Sequence, residues 1–154
     1  MTETGESQSQ QLARNTAELL QELRVAQAGV QILFAFLLAV AFTTPFGHTT
    51  DFQRFVYGAT MMCTTGAVAA FTAPVAWHRL LFRQRRRPEI VRIGNVVAVI
   101  GLALLATALT GVVLLVFDVV FGHVLAGVMS GLSAVAFVLL WFLLPMPFRR
   151  RADD

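Results

Sequence analysis

ELRVAQAGVQILFAFLL, residues 22–38, opens with Glu, Arg and two Gln and closes as an unbroken apolar run. No Pro or Gly-Pro break separates the halves, so one helix should carry both. The apolar part belongs to Val25–Thr44, about 20 residues, enough for roughly 30 Å of helix and one bilayer crossing. On that helix Arg24, Gln27 and Gln31 share one face, and Glu18 and Glu22 lie on another. A Gln turned to lipid wastes its hydrogen-bonding capacity. The stripe therefore has two readings: it lines a polar vestibule, or Gln27 and Gln31 bond across to a neighbouring helix.

Working outward, three more stretches are long enough to span: Phe55–Trp77, Ile93–Phe117 and Val124–Leu144, the last stopped by Pro145 and Pro147. The connections at 45–54 and 118–123 are short, so the helices they join are antiparallel. Residues 1–14 are rich in Ser, Gln, Glu and Thr and read as a disordered tail. Asn15 and Glu18 have capping-box spacing and mark the expected start of a short amphipathic helix that runs on into the first span. Residues 15–148 then form the transmembrane domain and 149–154 a second tail. The expected fold class is an all-α membrane protein, a four-transmembrane-helix bundle.

Composition agrees. Of 154 residues 56% are hydrophobic and 14% charged, with a mean hydropathy of +0.69. A soluble domain carries about 25% charged residues. The single Cys63 excludes an internal disulfide. The polar, acid-containing first 24 residues do not read as a secretory signal, so the N-terminus is expected to be retained.

Every basic side chain apart from the histidines is arginine. Six arginines lie between spans two and three, three follow span four and two precede span one; only Arg54 falls on the other side. The positive-inside rule then puts both termini and the middle loop in the cytoplasm of a plasma-membrane protein. Trp77 and Trp141 at that side and Tyr57 at the other suit an aromatic belt. Arg83, Arg85, Arg86 and Arg87 are placed among anionic lipid headgroups, each contributing about 1 kcal/mol of attraction. Their position directly after a span argues against nucleic acid.

Small residues recur inside the spans: Gly127 and Gly131 as a GxxxG pair beside Ala126, Ser130 and Ala134, and Gly94, Ala98 and Gly101 in span three. Such faces let helices approach closely. They serve packing within one bundle or an interface between subunits of a homo-oligomer. Phe46-Gly47-His48 and Phe121-Gly122-His123 echo each other after spans one and three, as two parallel repeats would, although three-residue matches are cheap.

No acid or base stands at mid-membrane, where ion-coupled carriers usually need one. Asp118, His123, His48, Asp51 and Arg54 sit at the other side; pH sensing or weak metal binding is conceivable chemistry for them, and ordinary loop polarity is the better reading. Pro74 takes an amide donor out of span two and leaves the Ala70 carbonyl to Thr72 or a neighbouring helix. Asn95, Thr107 and Thr110 along span three read as interhelical bonds. No nucleophile, phosphate-loop or metal-protease motif is present, so neither an enzyme nor a cofactor or metal is expected.

ELRVAQAGVQILFAFLL and APVAWHRLLFR together resemble a family of small actinobacterial four-span membrane proteins of unknown function, some of which carry the automatic name sodium/proton antiporter. The resemblance rests on Glu22-Leu23-Arg24, Gly29, Gln31, Phe34, Pro74, His78, Arg79 and Arg83. It implies that the polar entrance of span one and the His78-Arg79 corner of span two form one feature, with Glu22 pairing to Arg79 or His78. It supplies no catalytic or binding residues. Two functions follow as expectations: a non-enzymatic structural or regulatory membrane subunit, or a small oligomeric proton or cation transporter or channel.

Overall fold

The computed structural model describes residues 8–43, 49–81 and 87–144, with the backbone alone at 8, 9, 12, 13, 15, 16, 19, 20, 78–81 and 87–92. The described residues form four helices and no strand: α1 Gln8–Ala41, α2 Asp51–Leu81, α3 Arg87–Phe121 and α4 His123–Phe137, the last continued by a π-helical segment Val138–Leu143. Each holds a stretch long and apolar enough to cross a membrane: Gln21–Ala41, Asp51–Trp77, Ile93–Phe121 and His123–Leu143. The fold class is all-α, and the chain is a multi-pass membrane protein.

α1 is one continuous helix of 34 residues, about 50 Å at 1.5 Å per residue. That exceeds a bilayer core of roughly 30 Å, so its first turns extend past the apolar window. It is already helical at Gln8, the first described residue and ahead of the expected start at Asn15, and the short amphipathic helix is not a separate element. Asn15 and Glu18 lie inside the helix, where Glu18 approaches Arg14 at 3.8 Å instead of capping an end. The Gln, Ala, Leu and Arg before Asn15 are good helix formers, so nothing in the chain stops the helix earlier.

The N-terminus of α2 carries its own capping box. The Gln53 amide donates to Thr50 Oγ1 at 3.2 Å, and the Thr50 amide donates to Gln53 Oε1 at 3.0 Å. The two groups satisfy each other's orphan donors at the helix start. Pro74 is buried inside α2, which continues past it to Leu81. The Thr72 hydroxyl donates to the carbonyls of Val68 at 2.9 Å and Ala69 at 3.1 Å. It does not serve Ala70, as expected of it, because a threonine hydroxyl reaches back three or four residues and not two.

α3 ends at Phe121, past the Phe117 expected from hydropathy, and the turn shrinks to Gly122. That residue has φ 87°, a left-handed conformation that glycine adopts without steric cost. Its amide donates to the Asp118 carbonyl at 3.1 Å, closing α3, and its carbonyl accepts from Ala126 at 3.2 Å, opening α4. At the far end of α4 the Leu144 amide donates to Leu139 at 2.9 Å, the five-residue step of a π-helix just ahead of Pro145. Residues 46–48, half of the echoed triplet, and the arginines at 83, 85, 86 and 149–151 lie outside the described residues; Arg87 has its backbone alone described.

The chain divides into two compact units, and α2 and α3 each contribute to both. The first holds Met1–Phe42 and Thr64–Leu104; the second holds Thr43–Cys63 and Leu105–Asp154. In the first unit, α1 buries Leu23, Val30 and Leu37, one residue every seven, which makes a single seam along the helix. Gly66 faces Leu104 and Gly101 faces Phe71, so α2 and α3 run antiparallel here. Gly94, Ala67, Ala70 and Ala98 are buried with them. In the second unit, Gly111 of α3 faces Thr60 of α2, again antiparallel, and Ala108, Ala126 and Ser130 are buried. Lipid tails are as apolar as leucine, so close van der Waals packing of small residues holds such helices together, with hydrophobic burial contributing little between them.

Candidate functional site

In the second unit, Asp118 sits on the last turn of α3 with its side chain only 1% exposed. A carboxylate out of water is costly unless both oxygens find donors. Here both do. Oδ2 accepts from Gln53 Nε2 at 2.8 Å, and Oδ1 contacts Nδ1 of His123.

The three side chains come from three helices. Gln53 is the third residue of α2 and is held by the capping box: its Oε1 is taken by the Thr50 amide, so its Nε2 is left to reach Asp118. His123 is the first residue of α4, brought back over Asp118 by the glycine turn. Its ring is 75% exposed and meets Phe52 edge to face, with centroids 6.2 Å apart. A buried carboxylate thus has one exposed partner, an imidazole that can act as donor or acceptor. The arrangement can fasten α2 to the α3–α4 turn, and it can pass a proton between water and a shielded oxygen.

Of the polar cluster expected at this end, Asp118 and His123 meet each other. Asp51 pairs with Arg54 at 3.6 Å on the surface, and the Arg54 Nε also donates to Thr49 at 3.4 Å. Among the described residues no group of three or more metal-ligating side chains converges, and His48 lies outside them. Asp118, expected as loop polarity, is a buried helical residue. Gln53 was not expected at all, since its 65-residue separation from Asp118 hides the pair. The signal that could have found it is Thr50-x-x-Gln53, a capping box at the start of a span.

The polar entrance of α1 lies in the first unit. Glu22, Arg24 and Gln31 are exposed, and Gln27 is half-buried beside the Leu23–Val30 seam. Gln31 follows Val30 by one residue, about 100° around the helix, which turns it off the seam. The two glutamines keep their common face on the continuous helix and differ in exposure, Gln27 being half-buried and Gln31 exposed. The side chains of His78 and Arg79 lie outside the described residues, and so does their pairing with Glu22.

The small-residue positions also separate. Gly94 and Gly101 are buried in the first unit. Gly127 and Gly131 are exposed, with nothing within 4 Å of where a Cβ would stand. Ala126 and Ser130, one residue back in each case, are the buried ones.

A family model described as a family of unknown function (DUF6328) matches residues 5–145, and the chain belongs to that family. No curated protein and no solved structure matches the chain.

Proposed function

We propose that this member of a family of unknown function is a non-enzymatic structural or regulatory membrane subunit that works through its helix faces and self-associates through α4. The observation that carries the reading is the open glycine pair. Gly127 and Gly131 form a groove with no side chain against it, between exposed Val124, Val128 and Val135. A ridge of β-branched residues beside a glycine groove is the surface on which two helices approach most closely in lipid. In this reading both termini and the arginine-rich middle loop are cytoplasmic, in the plasma membrane, with Arg83, Arg85, Arg86 and Arg87 among anionic headgroups.

Energy transfer between differently labelled protomers in liposomes tests it. Self-association that weakens in Gly127→Leu and Gly131→Leu supports the reading. A wild-type chain that stays monomeric at high protein-to-lipid ratio rejects it.

The Asp118–His123 pair favours a second reading, a small oligomeric proton or cation transporter. A shielded carboxylate joined to an exposed imidazole is the kind of group that takes up and releases protons at a membrane edge. Protein in liposomes loaded with a pH dye should then show a flux that Asp118→Asn abolishes. Flat traces from the wild type reject transport.

A further inference from the structure

The second unit contains a cavity of about 240 Å³ between the first turns of α2, the last turns of α3 and Ser130 of α4. It exceeds the roughly 150 Å³ apolar cavity that admits benzene. Its walls include Thr60, Cys63, Thr110 and Leu114. Three of the hydroxyls in it are turned to their own helices: Thr60 donates to Val56 at 2.7 Å, Thr110 to Ala106 at 2.9 Å and Ser130 to Gly127 at 3.1 Å. Methyl and methylene groups therefore dominate what a guest meets. Water needs two to four polar partners and finds a poor site there. Phe55, Ala59 and Thr107 line the cavity and are exposed, so it opens sideways onto the surface that lipid covers.

One helical turn beyond it, the spans end. Gln53 precedes Val56 by three residues and Asp118 follows Leu114 by four, a rise of about 5 Å. At that level stand Asp51, the start of α2, and His123, the start of α4. The Asp118 carboxylate is shielded and bonded through both oxygens, so it does not meet a ligand's charge. His123 keeps its second ring nitrogen, Nε2, for a partner. Arg54 has donors beyond those used toward the exposed Asp51 and Thr49.

We propose that the cavity holds one acyl chain of an anionic membrane phospholipid, whose phosphate accepts hydrogen bonds from Arg54 and from the imidazolium form of His123, in which Nδ1–H faces Asp118 and Nε2–H faces the phosphate. The side opening selects this occupant over a free single-chain acid, because the second chain of a phospholipid stays in the bilayer while the first enters. Bilayer lipid is also the apolar ligand at highest local concentration, and mass action favours it. The proposal stands apart from self-association and transport, since it uses neither the α4 glycine groove nor proton transfer.

The test is photo-crosslinking of the full chain in bilayers containing phosphatidylglycerol with a diazirine midway along one acyl chain, with adducts mapped by mass spectrometry. Adducts should concentrate on residues 55–63 and 107–114, several-fold above those on the equally lipid-exposed Val128, Leu132 and Val135. Ala59→Phe fills the opening from an exposed position and should erase that concentration while the α4 adducts persist. If the α4 pattern also changes, the fold has moved, and Thr107→Phe on the facing helix carries the same test. His123→Ala should lower the cavity adducts from phosphatidylglycerol several-fold. Adducts spread evenly over all spans, or a concentration untouched by both filling variants, overturn the proposal. Cavity adducts unchanged in His123→Ala overturn the placement of the phosphate, and with it the single-lipid occupant.

Discussion

The glycines of α3 and those of α4 look alike in the sequence and do opposite things. Gly101 and Gly111 are filled from outside their helix. A Cβ at Gly101 would stand 2.7 Å from the Phe71 ring, and one at Gly111 would stand 2.2 Å from Thr60 Oγ1. Gly127 and Gly131 meet open space. The first pair is where side chains of a neighbouring helix already touch the glycine backbone; the second is where another surface can still arrive. A small-residue motif therefore marks a capacity for close approach, and only the rotation of each helix decides whether the chain itself uses it.

The sharpest way to break this contrast is Gly111→Ala. The new methyl collides with a buried, β-branched side chain whose hydroxyl is tied to Val56, so the site cannot yield by a simple rotamer change. Overpacking of this kind costs about 1–3 kcal/mol. Reversible unfolding in mixed micelles should show the loss, and Thr60→Ala in the same chain should recover much of it. Additive losses in the double mutant would show that the two residues do not meet. Gly101→Ala should destabilise as well, since Phe71 is almost fully buried and its ring must shift.

Next in size is Asp118→Ala, which strips Gln53 and His123 of a shared acceptor. Leaving such groups unpaired costs about 1–3 kcal/mol. Asp118→Asn keeps an acceptor for Gln53 and should lose less. Equal losses for the two variants would show that only the charge counts. Gln53→Ala removes one half of the cap, the Oε1 that accepts from the Thr50 amide, and the bond to Asp118, while the amide of residue 53 can still donate to Thr50 Oγ1. Hydrogen exchange should then rise first in the opening turn of α2, by an opening cost on the order of 1 kcal/mol less than in the wild type.

The smallest effect on the protomer is expected at the open pair. Gly127→Ala and Gly131→Ala meet no neighbour, and alanine is the better helix former by up to about 1 kcal/mol. Protomer stability should stay level or rise while energy transfer between protomers falls. A fall in stability equal to that of Gly111→Ala would erase the contrast between the two helices.

Much of the fold was legible because apolar length is a local property. Four stretches near 20 residues identify four spans wherever their neighbours lie. The boundaries were less legible. Hydropathy ended α3 at the first charge, Asp118, yet the helix continues because that carboxylate is satisfied inside the structure by Gln53 and His123. A pattern of Asn and Glu suggested a cap at Asn15, but capping chemistry also fits helix interiors where a preceding turn is free to form. The candidate site was half visible. Asp118 and His123 stood close in sequence, whereas Gln53 belonged to another helix, and its role depended on the register between α2 and α3.

What the sequence determined by itself is the number of crossings and the antiparallel sense of their neighbours, because the transfer of apolar residues into lipid and the reach of short turns act along the chain. The tertiary structure alone decided which glycines are filled, which glutamine is half-buried, and what shields Asp118. Those outcomes depend on how each helix is rotated and how far it slides against its partner, and side-chain shape settles both where hydropathy is the same all round.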